Sequence, residues 1–349
     1  MNRKVFGKTP SGKRLTRIMQ SPHYKGGVFQ NMEPTQVMRE GASYLGLTKN
    51  FINRPVTVKP AAALPSVKTD LRQPAPAKPL ITWFGHSSYF IRSHDFNILV
   101  DPVFSGHASP FSFFGAAFKG SDAYTVQDFP QIDLLVITHD HYDHLDYATV
   151  TRLFPKIQQA VTPLGVGAHL EYWGLDAAKI TELDWWEGRT LDAGITITAT
   201  PARHFSGRMF VRNKTLWASF VLQLHGHRLL LGGDSGYDAQ FKIIGERFGP
   251  FDLAMLECGQ YGDDWPSIHM KPEETVQAAL DLRTRVLMPV HWGKFVLSLH
   301  PWNEPVKRVV VAAEKAGLPV ATLRIGGTYA VGDEVGLDQW WEEAALHTT

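Results

Sequence analysis

The chain has 349 residues, 44% of them hydrophobic and 20% charged, with a formal net charge of +1. That length is ample for one large core or two moderate ones, and the composition is ordinary for a globular protein. The near-neutral charge excludes a general pull on nucleic acid, and no apolar run reaches the roughly 18 residues needed to span a bilayer. The single cysteine, Cys258, excludes an internal disulfide and any cysteine-rich metal cluster.

Charge is uneven along the chain. Between Met1 and Met32 lie seven basic residues (Arg3, Lys4, Lys8, Lys13, Arg14, Arg17 and Lys25) and no acid. The arm over 1–54 reads as solvated, or as making peripheral contact with an anionic lipid surface through residues 1–32, where each basic residue contributes about 1 kcal/mol. It has no apolar core of a secretory leader, so the expected location is the cytoplasm, with membrane association or a leader already removed as the alternatives. Prolines at 55, 60, 65, 74, 76 and 79 follow. Proline fixes φ and lacks an amide donor, which predicts an extended linker over 55–79.

From Leu80 the texture becomes short apolar runs broken by Gly, Asp and His. LITWFGHSSYFIRS predicts two strands about a turn at Gly85–His86, and FNILVDPVF a strand ending in Asp101. QIDLLVITHDHYDHLD reads as a buried strand opening into a loop of His and Asp. GITITATPARHF leads to His204, and LWASFVLQLHGHRLLLGGDSGY forms a hairpin near Gly226 that delivers Asp234. FDLAMLECG and TRVLMPVHWG are further strands, the second ending at His291. Helices fit 145–154, 165–173, 238–248, 272–283 and 304–316; Pro272, Glu273 and Glu274 suit a helix start. Strands interleaved with helices predict a layered α/β domain over 80–333, leaving a tail over 334–349.

His139-Asp140-His141-Tyr142-Asp143-His144 has the form H-x-H-x-D-H. Residues two apart on an extended segment point the same way, so His139 and His141 can face one ion. Asp143 and His144, where the chain turns towards a helix, can face a second. Four ligands cannot complete two shells, and His204, Asp234 and His291 each follow an apolar strand. The expected sets are His139, His141 and His204 on one divalent ion and Asp143, His144 and His291 on the other. Asp234 lies between them, because a carboxylate can bind two ions. Zinc suits these donors best, with manganese or iron also acceptable. His86 in FGHSS reads either as a support for this site or as a turn residue.

These motifs, in this order, resemble the metallo-β-lactamase superfamily. WFGHSSYFI, HDHYDHLD, GDSGY and the run from SIHMKPEETV to MPVHWGKF are similar to its N-acyl-phosphatidylethanolamine-hydrolysing phospholipase D branch. The resemblance implies a four-layer αββα sandwich with two metals at one edge. It also implies that Asp101 supports a ligand histidine, unless it simply forms a turn before Pro102. His269 would lie near the metals and supply a proton, unless it only precedes the helix from Pro272. The antibiotic-degrading lactamases commonly carry Cys where this chain has Asp234, which argues against that activity.

Two ions can share a hydroxide, oriented by Asp143 and Asp234, for attack on phosphorus. Tyr261 and Trp265 in the loop CGQYGDDWPSIH, and Phe111, Phe113 and Phe114 in SPFSFFGAAF, could line a path for an acyl chain or pack on their own domain. The expected activity is phosphodiester hydrolysis of N-acyl phosphatidylethanolamine or a related lipid. The alternatives are hydrolysis of a lactone or other ester on a small polar substrate, and a non-catalytic metal-stabilised, membrane-associated scaffold. No basic stripe with interleaved aromatics marks a nuclease.

Overall fold

The computed structural model describes residues 3–111 and 114–346. In chain order the first half comprises α1 (Gly12–Met19), β1 (Tyr24–Lys25), β2 (Val28–Phe29), α2 (Tyr44–Ile52), β3 (Leu80–Trp83), β4 (Tyr89–Ser93) and β5 (Phe96–Val100). There follow β6 (Ile132–Val136), α3 (Tyr147–Leu153), β7 (Ile157–Pro163), α4 (Gly167–Trp173), β8 (Ile180–Leu183), β9 (Gly188–Asp192) and β10 (Ile195–Thr200). The remainder is β11 (Gly207–Arg208), β12 (Val211–Arg212), β13 (Ser219–Leu224), β14 (His227–Leu231), α5 (Gln240–Phe248), β15 (Leu253–Glu257), α6 (Pro272–Asp281), β16 (Leu287–Val290), α7 (Glu304–Ala316), β17 (Thr328–Ala330) and α8 (Trp340–Leu346).

Two mixed sheets stack face to face. One has the order β17-β3-β4-β5-β6-β7-β8, the other β16-β15-β14-β13-β10-β9. The unbroken apolar strings of the central strands follow from burial on both faces. In β4, Tyr89 and Ile91 join the core between the sheets while Phe90 faces the other way; in β5, Ile98 and Val100 do the same and Leu99 faces out. Those outward residues meet Val150 and Leu153 of α3 and Leu170 and Trp173 of α4. On the far side, α6 packs on β15 and β16 between α5 and α7. The result is the expected helix–sheet–sheet–helix sandwich, and every predicted helix and strand of 80–333 forms.

The N-terminal segment differs from the solvated arm its charge suggested. Ile18 and Phe29 are fully buried in the main core. Arg14 pairs with Glu171 and Glu182, and Arg17 with Glu187, so part of the basic excess is neutralised by acids on α4, in β8 and just after β8. The residues after 333 likewise pack instead of trailing: Trp340 and Trp341 are buried, Trp340 stacking on Trp292 at 5.1 Å. Apolar burial outweighs local charge in the first case and chain-end position in the second. No helix among the described residues is long and apolar enough to cross a membrane.

Candidate metal centre

Strands β5–β8 run parallel, as do β14–β16, so several strand ends open onto one edge of the sandwich. β6 runs out into His139–His144, β10 into His204, β14 into Asp234 and β16 into His291. Gly232 and Gly233 let the β14 loop press on its neighbours: a Cβ would come 2.2 Å from Met255 O and 2.6 Å from Ala218 O. His86, Asp101 and His291 hold left-handed backbone, φ 54°, 41° and 67°. Such conformations cost on the order of 1–3 kcal/mol each and persist where the surroundings enforce them. The His86 and His291 loops enforce each other, with His291 N–H donating to His86 O (3.0 Å) and His86 N–H to Trp292 O (2.8 Å).

The seven side chains converge. His139 Nε2 and His204 Nε2 lie 2.9 and 3.2 Å from His141 Nδ1, and 3.8 and 3.7 Å from Asp234 Oδ2. A tetrahedral ion with ligands at about 2.0–2.1 Å separates them by about 3.4 Å, so this group has the dimensions of one coordination shell. The other oxygen of Asp234, Oδ1, lies 3.2 Å from His144 Nε2 and 3.1 Å from His291 Nδ1, while Asp143 Oδ2 is 3.5 Å from His144 Nε2. Asp234 therefore turns one oxygen to each group. His144 Nε2 and Asp234 Oδ1 are buried with no hydrogen-bond partner among the described residues. An orphan of this kind costs about 1–3 kcal/mol, which a cation beside both atoms removes. The residues present fit two divalent ions.

Supporting contacts aim the ligand atoms. Asp101 accepts from Thr138 N–H (2.8 Å), Thr138 Oγ1 (2.6 Å) and His144 Nδ1 (2.7 Å), which leaves His144 Nε2 for the site. His204 Nδ1 donates to Ile268 O at 2.9 Å, with the same consequence. Asn31, in the N-terminal segment, holds His204 by both backbone groups, at 2.7 and 3.0 Å. His86 Nε2 donates to Asp143 Oδ2 at 2.9 Å, so this histidine braces a carboxylate of the site.

Burial and mutual charge pull these groups in different directions: burial lowers His144, yet Asp234, Asp143 and Asp101 hold it well above the usual histidine range. Burial, then repulsion from neighbouring imidazoles, holds His139, His204 and His291 well below the usual histidine range. Burial opposes ionisation of Asp143, but His144 and the hydrogen bond from His86 keep its carboxyl well below the ordinary value. Burial pushes Asp234 up to about 6 against the pull of His144.

His269 lies beside these groups, its ligand atom within 4.8 Å of those of Asp234, Glu257 and His291. Its Nδ1 is 2.9 Å from the buried Glu257 Oε2. His269 does not cap the helix that follows, because Lys271 occupies that position and its N–H is bonded to Glu274. Over the centre opens a cavity of about 280 Å³. It is lined by His141, Asp143, Asp234, His269 and His291, and by the apolar side chains Val37, Met38, Leu47, Phe51, Trp265 and Leu297.

The expected lining residues divide. Trp265 stands between this cavity and a separate polar one, whereas Tyr261 faces only the polar one of the two and bonds to Glu304 Oε1. Phe114 is half-exposed on an outer groove beside Leu47 and Phe51; Phe111 lines neither, and Phe113 lies outside the described residues. Sequence reasoning missed Glu257, Phe205, Arg212 and the wall from 37–51. Only the position of Glu257 at the end of a buried strand hinted at a site role.

A profile of the β-lactamase superfamily domain matches residues 96–292. The chain is 40% identical over 328 residues to an uncharacterised protein of Mycobacterium tuberculosis, covering 92% of this chain and 88% of that one. It is 35% identical over 231 residues to N-acyl-phosphatidylethanolamine-hydrolysing phospholipase D 1 of Caenorhabditis elegans, covering 61% and 64%. Among solved structures it is similar to a metallo-hydrolase of the archaeon Ignicoccus hospitalis, with TM-score 0.57 and 20% identity, over 74% of this chain and 100% of that one.

Proposed function

The chain belongs to the β-lactamase superfamily and is a metal-dependent hydrolase, and we propose that it is a dinuclear phosphodiesterase of phospholipase D type acting on N-acyl phosphatidylethanolamine or a related lipid. The observation that carries this reading is the cavity. Its apolar wall of Val37, Met38, Leu47, Phe51, Trp265 and Leu297 rises beside the carboxylates and imidazoles, so an acyl chain and a phosphodiester are met by matching chemistry. The named activity of the nematode relative agrees with it.

His139, His141, His204 and Asp234 would hold one ion, and Asp143, His144 and His291, with Asp234 Oδ1 beside the two imidazoles, the other, zinc best matching the donors. When bound, the ions supply Lewis acidity and lower the pKa of water towards about 7. Asp143 and Asp234 orient the attacking water, whose oxygen bonds to phosphorus as the phosphorus–oxygen bond to the N-acylethanolamine breaks. His269, braced at Nδ1 by Glu257, carries a proton at Nε2 to that leaving oxygen. Burial lowers its pKa, against the charges of Asp234 and Asp143.

The modest cavity volume, about 280 Å³, is the one observation favouring a lactone or other small ester as substrate. Zinc-loaded protein assayed on N-acyl phosphatidylethanolamine, an aryl phosphodiester and a lactone separates the readings. Phosphatidate and N-acylethanolamine are the expected products. Lactone turnover without diester turnover would select the rival, and no turnover with two ions bound would select a scaffold.

A further inference from the structure

The β11–β12 hairpin holds a cation over the centre that the hydrolytic scheme does not use. Its base is clamped to the ligand loop: Gly207 N–H donates to Asp140 Oδ1 at 2.7 Å. The buried Arg208 donates to Asp140 O, Leu145 O and Val5 O at 2.7, 2.9 and 2.7 Å. Gly207, at φ 149°, allows a tight return, because a Cβ there would come 2.3 Å from Val211 O. Arg212 ends the return strand and lines the cavity with His141, Asp143 and His204. Its guanidinium sits 4.9 Å from the centre of the Phe205 ring, and that ring lies 4.5 Å from the ring of His141.

Among the described residues Arg212 has no ion-pair partner, while Arg14, Arg39, Arg308 and Arg324 each meet a carboxylate. It is also the one Lys or Arg among the residues lining this cavity. A guanidinium laid on an aromatic face keeps its N–H edge free, and that planar edge matches two oxygens of a phosphate. We propose that Arg212 is an anion-recognising residue of the site, selecting substrates with a negatively charged phosphodiester over neutral esters and lactones. The proposal deepens the phosphodiesterase reading and rests on it for the identity of the anion.

Zinc-loaded wild type, Arg212→Gln and Arg212→Lys are compared in two measurements. The first is the Kd for dibutyl phosphate, an anionic diester checked by phosphorus NMR to stay intact during the titration, with neutral tributyl phosphate as control. The second is the kinetics of bis(4-nitrophenyl) phosphate hydrolysis. Arg212→Gln is expected to weaken dibutyl phosphate and raise KM by about tenfold, with kcat within about threefold and two ions retained; Arg212→Lys recovers part of the loss. Equal Kd for dibutyl phosphate in wild type and Arg212→Gln overturns the proposal, as does an equal loss for the neutral triester. If the Kd responds but wild type turns over no diester, the phosphodiesterase reading fails and the anion site stands. If wild type turns over the diester with KM and Kd indifferent to position 212, the reverse holds.

Discussion

Asp101→Asn tests the support beneath the centre without changing side-chain volume. Asp101 is fully buried and accepts three hydrogen bonds, one on Oδ1 from Thr138 N–H and two on Oδ2 from Thr138 Oγ1 and His144 Nδ1. An amide offers one oxygen. Turned towards His144, it sets its own NH2 against Thr138 N–H; turned the other way, it sets NH2 against the imidazole donor. The milder orientation forfeits one charge-assisted bond, about 2 kcal/mol of stability in the metal-free protein. In either orientation His144 loses its anionic partner, so Nε2 becomes a poorer ligand, and metal affinity should fall about 10–100-fold. Competition with a chromogenic zinc chelator gives the affinity, and urea unfolding of chelator-treated protein gives the stability. Wild-type affinity at both sites in the folded variant would refute the role assigned to Asp101.

Trp340→Ala removes a fully buried ring stacked against Trp292 and near Trp83 (6.3 Å), and should cost about 3–5 kcal/mol in urea unfolding with metal content unchanged; a loss under 1 kcal/mol, on the order of a surface change, would contradict the packed C-terminus. Removing residues 1–11 strips the partners of Arg208, Trp173 Nε1 and His169 Nδ1 (Val5 O, Lys4 O and Lys8 N–H), and should lower stability by about 2–4 kcal/mol; an unchanged unfolding midpoint would show that the segment is dispensable. Lys294 is buried, and burial lowers its pKa to about 8 from 10.5 with Asp122 opposing. The unfolded chain then binds more protons between those values, so stability rises with pH through that window by up to about 3 kcal/mol, while below it both states are protonated and the cost is constant. Lys294→Met should flatten that rise, and parallel stability–pH curves for the two proteins would disprove it.

The strands and the convergence of the candidate ligands were legible because their signals are local. Short apolar runs bounded by Gly, Asp and His mark strands whatever packs on them, and H-x-H-x-D-H places four donors within six residues by backbone geometry alone. His204, Asp234 and His291 were found because each ends an apolar strand. Local pattern could not show which way a loop turns. Tyr261 and Trp265 lie four residues apart in one loop, yet only Trp265 faces the metal cavity. Nor could it show that the segment carrying the basic residues would be anchored on the domain by Ile18 and Phe29, or that residues 37–51 would wall the site.

The chain's own pattern thus determined its strands, its helices and the donor atoms available to a metal. Tertiary packing alone decided that Glu257 stands behind His269, that Asn31 braces His204 and that Arg212 overhangs the cavity. The reason is physical. Each of these contacts joins side chains whose meeting depends on the docking of separate elements, and no residue's neighbours in sequence carry that information.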